Sequence, residues 1–201
     1  AAMAPAQAGQ KPVFLEAMTW TELRDAIAGG ATTAIIPVGG TEQSGPLIAL
    51  GKHNVRVHEL AGKIATTLGN CIVAPVIAYV PEGQVSPPTE HMKFPGTLSV
   101  PDQVFVQVVE AAGRSLRQAG FTDIVLIGDH GGYQSDLATA ASALNKEWSK
   151  SGVKAHFIAQ YYRAQQEPYA QALLSHGVAQ KDIGTHAGLA DTSLMLAVDP
   201  T

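Results

Sequence analysis

The chain has 201 residues, of which 46% are hydrophobic and only 15% charged, so it is expected to fold around one sizeable core rather than to be disordered. Its net charge of -4, without any basic run, argues against nucleic acid and anionic membrane surfaces as partners. No apolar stretch approaches the roughly 20 residues that a membrane-spanning helix needs. The single cysteine, Cys71, excludes an intrachain disulfide.

Strand and helix patterns alternate along the chain. Apolar runs predict strands over 33–38, 72–77, 123–127 and 154–159. Helical patterns cover 20–28, 55–68, 101–119, 135–151, 166–175 and 188–197. Because the strands are continuous apolar runs, helices should cover both faces of a mostly parallel sheet, which makes the fold class α/β. The Pro- and Gly-rich segment 80–99 is a long loop, of the kind that is usually functional.

The two ends of the chain carry little pattern. Residues 1–10 are predicted to be a flexible N-terminal segment, and 11–201 a single domain. Small residues of this kind surround signal-peptide cleavage sites, so we expect a periplasmic or secreted protein, with a cytoplasmic one as the alternative. The sequence stops directly after a helical pattern, so a truncated C-terminus is a further expectation.

Charged side chains follow two of the predicted strands. Glu42 lies in the glycine-rich turn 39–46, and Asp129 with His130 lies in the turn 128–132. In open α/β sheets, this carboxyl edge is where ligands bind. Glu42 with two histidines would suit a zinc or iron site that has three protein ligands and leaves a position for water. The sequence contains no nucleophile elbow and no phosphate-binding loop, which disfavours a serine hydrolase and a nucleotide-binding enzyme.

Three further histidines have some supporting context. His53 precedes the helix predicted from residue 55, His91 lies in the long loop and could reach a cleft, and His186 precedes an apolar helix with Asp191 five residues later. Each also has a purely structural interpretation, as a surface or helix-start residue. The other histidines lack context and are interpreted as structural or solvated: His58, His156 and His176.

Five segments, in this order and across nearly the whole chain, resemble the creatininase family of metal-dependent amidohydrolases. They are Pro-Val-Gly-Gly-Thr-Glu-Gln at 37–43, Ala-Leu-Gly-Lys-His at 49–53, Glu-His-Met-Lys-Phe-Pro-Gly-Thr at 90–97, Asp-His-Gly-Gly at 129–132, and His-Ala-Gly-Leu-Ala-Asp-Thr-Ser-Leu-Met at 186–195. The resemblance implies a three-layer α/β sandwich and a metal-dependent hydrolase. The expected substrate is a small cyclic or linear amide with a non-peptide C–N bond. It also implies a ring-like homo-oligomer, a hexamer.

The chain departs from the two-metal members of this family at the positions that serve the second ion. Ser44 stands in place of a histidine, His53 in place of a bridging aspartate, and Gly132 in place of a glutamate. The resemblance therefore implies one divalent ion, held by Glu42, His53 and His130. Zinc is the first expectation, with manganese, iron or cobalt as alternatives.

The resemblance also suggests catalytic roles. His186 would be the proton donor or base beside the metal that Glu42 binds, and Asp191 would orient His186 or cap the nearby turn. Asp129, His91 and Ser44 are expected to contact the ligands or the substrate, although Asp129 also suits a turn. The alternatives are an ester or lactone hydrolase, a non-catalytic metal- or small-molecule-binding protein, and a scaffold subunit of the same fold.

Overall fold

The structure is a computed structural model that describes residues 12–184 and 186–200. Its centre is a sheet of four parallel strands: β1 (Thr33–Val38), β2 (Cys71–Val73), β3 (Asp123–Gly128) and β4 (Lys154–Phe157). The helices are α1 (Trp20–Ala28), α2 (Lys52–Leu68), α3 (Asp102–Ala119), α4 (Gln134–Glu147), α5 (Ala159–Ser175), α6 (Gln180–Ile183) and α7 (Leu189–Val198). Short 3-10 turns lie at Leu15–Ala17 and Glu90–Lys93. Among these residues, no helix combines the length and apolar character needed to cross a bilayer.

The strand order places the predicted ligand position at the carboxyl ends of the two central strands. The order is β2-β1-β3-β4. Strand β2 therefore lies on one side of β1, whereas β3 and β4 are added on the other side. Strands β1 and β3 are paired over six residues, which aligns Val38 with Gly128 at their carboxyl ends. This reversal between neighbouring strands is the topological switch point at which open α/β sheets bind ligands.

Helices cover both faces of the sheet, as the continuous apolar strands predict. Ala34 and Ile36 of β1 point into one core with residues of α3 and α4. Ile35, between them, points into a second core with residues of α2. The α/β sandwich with a parallel central sheet is therefore confirmed.

Several element boundaries differ from the prediction. Strand β2 ends at Val73 rather than at residue 77, and the chain returns to the sheet only as a single bridge between Ile77 and Val38. Helix α2 begins three residues earlier than predicted, at Lys52. Within this helix, the Asn54 side chain bonds to the Gly40 N–H and to the Thr41 hydroxyl. The predicted flexible segment 1–10 lies outside the described residues.

Tyr133 joins the ends of the two central strands. Its buried hydroxyl lies 2.8 Å from the Val38 carbonyl oxygen and 2.6 Å from that of Gly39. The same oxygen accepts hydrogen bonds of 3.1 Å from the backbone N–H groups of Asp129 and His130. One side chain therefore satisfies backbone groups of both turns that carry the predicted site residues.

Replacing Trp148 with Ala should lower the free energy of unfolding by about 3–5 kcal/mol, because it empties a core position. Trp148 is 1% exposed and belongs to the core on the α3 and α4 face. The matched control is Trp20→Ala: Trp20 is 75% exposed, and we expect a loss below about 1 kcal/mol. Urea unfolding followed by circular dichroism measures both, and equal losses would contradict the placement of Trp148 in the core.

Candidate metal centre

Glu42 is the central side chain of the site. It lies in the turn after β1 and is fully buried. Its Oε1 atom lies 2.9 Å from His53 Nε2 and 3.5 Å from His186 Nε2. Its Oε2 atom lies 3.0 Å from His91 Nε2 and 3.5 Å from His130 Nε2. One carboxylate thus faces four imidazole rings that reach it from different parts of the chain.

Four of these residues are arranged as metal ligands would be. Glu42, His91, His130 and His186 each offer one ligand atom, and these atoms all lie within 4.8 Å of one another. Glu42 Oε2 is buried and has no hydrogen-bond partner among the described residues. Imidazole nitrogen and carboxylate oxygen are ligands of zinc, iron and manganese, so the residues fit a divalent ion. We call these four residues the candidate metal centre.

Electrostatics favour the ligand forms of Glu42 and His130. Burial opposes ionisation of Glu42, but hydrogen bonds with His186 and His53 and the nearby imidazoles hold its pKa well below the usual value. Burial lowers the pKa of His130 to about 4, against the opposing effect of the Glu42 charge. An ionised carboxylate and a neutral imidazole are the forms that bind metal ions.

His53 lies behind Glu42, outside the candidate metal centre. Its Nδ1 atom is 2.7 Å from Asp129 Oδ2, and its Nε2 atom is 2.9 Å from Glu42 Oε1. Both ring nitrogens therefore contact carboxylates, and the role of His53 as a metal ligand stays a prediction. His91, which the sequence predicted only to contact the ligands or the substrate, is one of the four residues of the candidate metal centre.

Asp129 is the buried partner that holds His53. Its Oδ2 atom also accepts a 2.8 Å hydrogen bond from Arg56 Nε, and its Oδ1 atom accepts 2.9 Å bonds from Tyr161 and Gln165. Burial would raise the pKa of Asp129, but the His53 hydrogen bond and the Arg56 charge outweigh it and lower the pKa. Such outer carboxylates orient the side chains that face a metal.

Asp191 pairs with two buried cations of α2. Its carboxylate lies 2.6 Å from Lys52 Nζ and 2.8 Å from Arg56 Nη1. It also lies 3.4 Å from the Ala187 backbone N–H, so it contacts the turn before α7, one of the two roles suggested for it. Lys52 and Arg56 are functional residues that were not predicted, although their spacing to His53 on one helix indicates a shared face.

Two further predicted residues lie beside Glu42. His186 is the most accessible member of the candidate metal centre, with 44% of its side chain exposed, and its ring centroid lies 4.9 Å from that of His91. The buried Ser44 hydroxyl donates a 3.4 Å hydrogen bond to Glu42 Oε1. His186 is thus partly accessible to solvent, whereas the buried Ser44 hydroxyl bonds to the Glu42 carboxylate inside the protein.

Glu82 is a buried carboxylate that no sequence pattern predicted. It lies in the long loop 80–99, is 1% exposed, and its Oε2 atom is 3.8 Å from His130 Nε2. Burial and the charge of Glu42 raise the pKa of Glu82 to about 9. The length and composition of the loop indicated function, but no motif marked this residue.

Two cavities meet at the site. One, of about 400 Å³, lies on the side of α5 and α7 and is lined by Arg56, Tyr162 and Leu194 among others. The other, of about 860 Å³, is lined mainly by the loop 81–102. Both include His130 and Gly132, so a bound molecule can extend to either side of this point.

The chain is similar in sequence and fold to proteins of one family. The family model described as Creatininase, creatinine amidohydrolase, matches residues 16–201. The chain belongs to the creatininase family.

Several solved creatininase structures have a similar fold. A creatinine amidohydrolase (creatininase) crystal structure has a TM-score of 0.77 at 26% identity, covering 95% of this chain and 74% of that chain. A creatininase described as the Mn form has a TM-score of 0.76 at 26% identity, with 94% and 74% covered. A mutant creatininase of Zn-Zn type has a TM-score of 0.75 at 27% identity, with 95% and 74% covered.

Two curated relatives of this creatininase-family chain have other names. A mycofactocin precursor peptide peptidase from Mycolicibacterium smegmatis is 28% identical over 171 residues, which cover 83% of this chain and 58% of the relative. A 3-dehydro-scyllo-inosose hydrolase from Thermotoga maritima is 30% identical over 119 residues, which cover 59% of this chain and 36% of the relative. The chain therefore spans less than two thirds of the length of these relatives.

Proposed function

We propose that this creatininase-family protein is a metal-dependent hydrolase that cleaves the C–N bond of a small cyclic or linear amide. The observation that carries the proposal is the candidate metal centre, in which three imidazoles face the Glu42 carboxylate and the buried Oε2 atom has no hydrogen-bond partner among the described residues. The names of the relatives, which include a peptidase and a hydrolase, support hydrolysis. The Mn and Zn-Zn creatininases support a divalent ion.

Each residue of the site has a role in this proposal. A divalent ion supplies Lewis-acid polarisation of a carbonyl and makes water nucleophilic at neutral pH. Glu42, His91 and His130 would hold the ion. His186, at the exposed edge, is placed to give a proton to the leaving nitrogen. Behind them, the hydrogen bond from His53 fixes the orientation of Glu42.

A short peptide is a second candidate substrate. The two cavities on either side of His130 and Gly132 leave room for a chain that extends in both directions from the reacting bond. The relative named as a peptide peptidase supports the same substrate class. A small lactam would fill only one of these cavities.

The test is a kinetic screen of lactams, linear amides, formamides and short peptides, with lactones and esters included. We expect amide hydrolysis that a chelator abolishes and that added zinc, manganese, iron or cobalt restores. His130→Ala should abolish the activity, because it removes a ligand. His176→Ala, at an exposed histidine of the α5 end, should leave it unchanged.

Two outcomes would contradict the proposal. Turnover of lactones or esters without amides would identify an ester hydrolase. Metal binding that depends on His130, without hydrolysis of any substrate class, would identify a non-catalytic metal-binding protein.

A further inference from the structure

We propose that Glu82 is a further ligand of the divalent ion, so that the site contains a second carboxylate. This inference rests on the proposed function, because it requires that the candidate metal centre binds a metal. It assigns a role to a residue of the long loop that none of the recognised motifs contains.

The first argument is that the Glu82 carboxyl group is buried without partners. It is 1% exposed, and neither of its oxygens has a hydrogen-bond partner among the described residues. A buried polar group without a partner costs free energy, so native structures pair such groups or bind ions there. A proton on one Glu82 oxygen could be shared with Glu42, but it would leave the other Glu82 oxygen unpaired. A cation would satisfy the oxygens directly.

The second argument is position. Glu82 Oε2 lies 3.8 Å from His130 Nε2. Two ligand atoms that share an ion, with bonds of about 2.0–2.2 Å each, lie up to roughly 4 Å apart. Glu82 is therefore within reach of an ion that His130 binds. It approaches from the side of the 860 Å³ cavity, opposite His186, which lines the other cavity.

The third argument is that the surrounding structure holds Glu82 at this place. Its backbone N–H donates a 2.9 Å hydrogen bond to the Ser99 hydroxyl, which in turn donates a 2.7 Å bond to the Gly83 carbonyl. On the other side, Gly40 has a φ of 154°, and a Cβ atom there would lie 2.7 Å from Glu82 Oε1. The glycine in the turn before Glu42 thus leaves the space that the Glu82 carboxyl group occupies.

The fourth argument is charge. Two permanent cations, Lys52 and Arg56, are buried in and around the site. Four carboxylates surround them: Glu42, Glu82, Asp129 and Asp191. With all four carboxylates ionised, as a bound cation requires, they exceed the two cations by two negative charges in a region shielded from water. A divalent cation bound between Glu42 and Glu82 would neutralise this excess.

A second carboxylate has a consequence for metal selectivity. With Glu82, the ligands include two carboxylates together with the imidazoles of His91 and His130. Carboxylate oxygens suit manganese, whereas imidazole suits zinc. Glu82 should therefore contribute more to manganese affinity than to zinc affinity.

The experiment measures metal affinity rather than activity. The metal-free chain is titrated with Mn²⁺ and with Zn²⁺ by calorimetry, for the wild type, Glu82→Gln and Glu82→Asp. Glu82→Gln removes the charge with little change in shape, and Glu82→Asp keeps the charge but withdraws the oxygens. Glu59→Gln is the control, because Glu59 is exposed on α2 and lines neither cavity.

We expect both Glu82 variants to weaken Mn²⁺ binding at least about tenfold and Zn²⁺ binding by less, with the affinity of Glu59→Gln unchanged. Circular dichroism checks folding, and the Glu82→Asp variant keeps the test decisive if Glu82→Gln does not fold. Wild-type affinity for Mn²⁺ in a folded Glu82 variant would overturn the role of Glu82 alone. If the wild type binds neither ion, both this inference and the proposed function fail.

Discussion

Replacing Glu42 with Gln should abolish tight binding of a divalent ion and reduce amide hydrolysis to the level of the metal-free protein. Glu42 supplies the only carboxylate of the four-residue candidate metal centre, and its Oε2 atom lies 3.0–3.5 Å from two of the imidazoles. Loss of an outer partner of a metal ligand already costs about 10–100-fold in affinity, so loss of the ligand itself should cost at least about 100-fold. Calorimetric titration with Zn²⁺ and Mn²⁺ measures the change.

The matched control is Glu59→Gln, on the exposed side of α2. It makes the same chemical change in the same part of the chain, and we expect no change in metal affinity. Full metal binding by folded Glu42→Gln protein would contradict the assignment of the candidate metal centre. A loss of binding in both variants would point to a general electrostatic effect.

Replacing Arg56 with Met should lower the free energy of unfolding by about 3–5 kcal/mol, because it breaks a buried ion pair and leaves carboxylates uncompensated. Arg56 lies 2.7 Å from Asp129 and 2.8 Å from Asp191, and its side chain is 4% exposed. It therefore connects α2 to the end of β3 and to α7. Urea unfolding measures the loss, and hydrogen exchange should show weaker protection in α7.

Arg114→Met is the matched control for this prediction. Arg114 also pairs with two carboxylates, Glu110 and Glu147, but 45% of its side chain is exposed. Exposed ion pairs contribute less than about 1 kcal/mol, so its removal should be nearly neutral. Equal losses in the two variants would show that burial does not distinguish these arginine networks.

The central elements of the fold are predictable because local and tertiary preferences agree. Strand β1 has the predicted bounds, since a strand buried on both faces is apolar throughout. Helix α1 also has the predicted bounds, because Thr19 and Glu22 form a capping box that marks its start. Strand β2 is shorter than predicted. Pro75 lies two residues after its end and has no N–H for the sheet.

The inner part of the site is predictable for a similar reason. Glu42 and His130 follow adjacent parallel strands, so the topology alone brings them together. Glu82 and His91 could not be placed from the sequence, because the path of the long loop depends on tertiary contacts such as the bond between Glu82 and Ser99. His53 points inward because α2 starts earlier than predicted. Export and the hexamer stay predictions.

The hydroxyl of Tyr133 fixes the spacing of the two turns that carry Glu42 and His130. Because it bonds to both central strand ends, the turns that carry Glu42 and His130 cannot separate without exposing several unpaired backbone groups. His91 and His186 lie outside these two turns, and they reach the centre from a loop and from the turn before α7. We therefore expect sequence changes that alter the size of the accepted ligand to fall in these outer segments, while Glu42 and His130 keep their spacing.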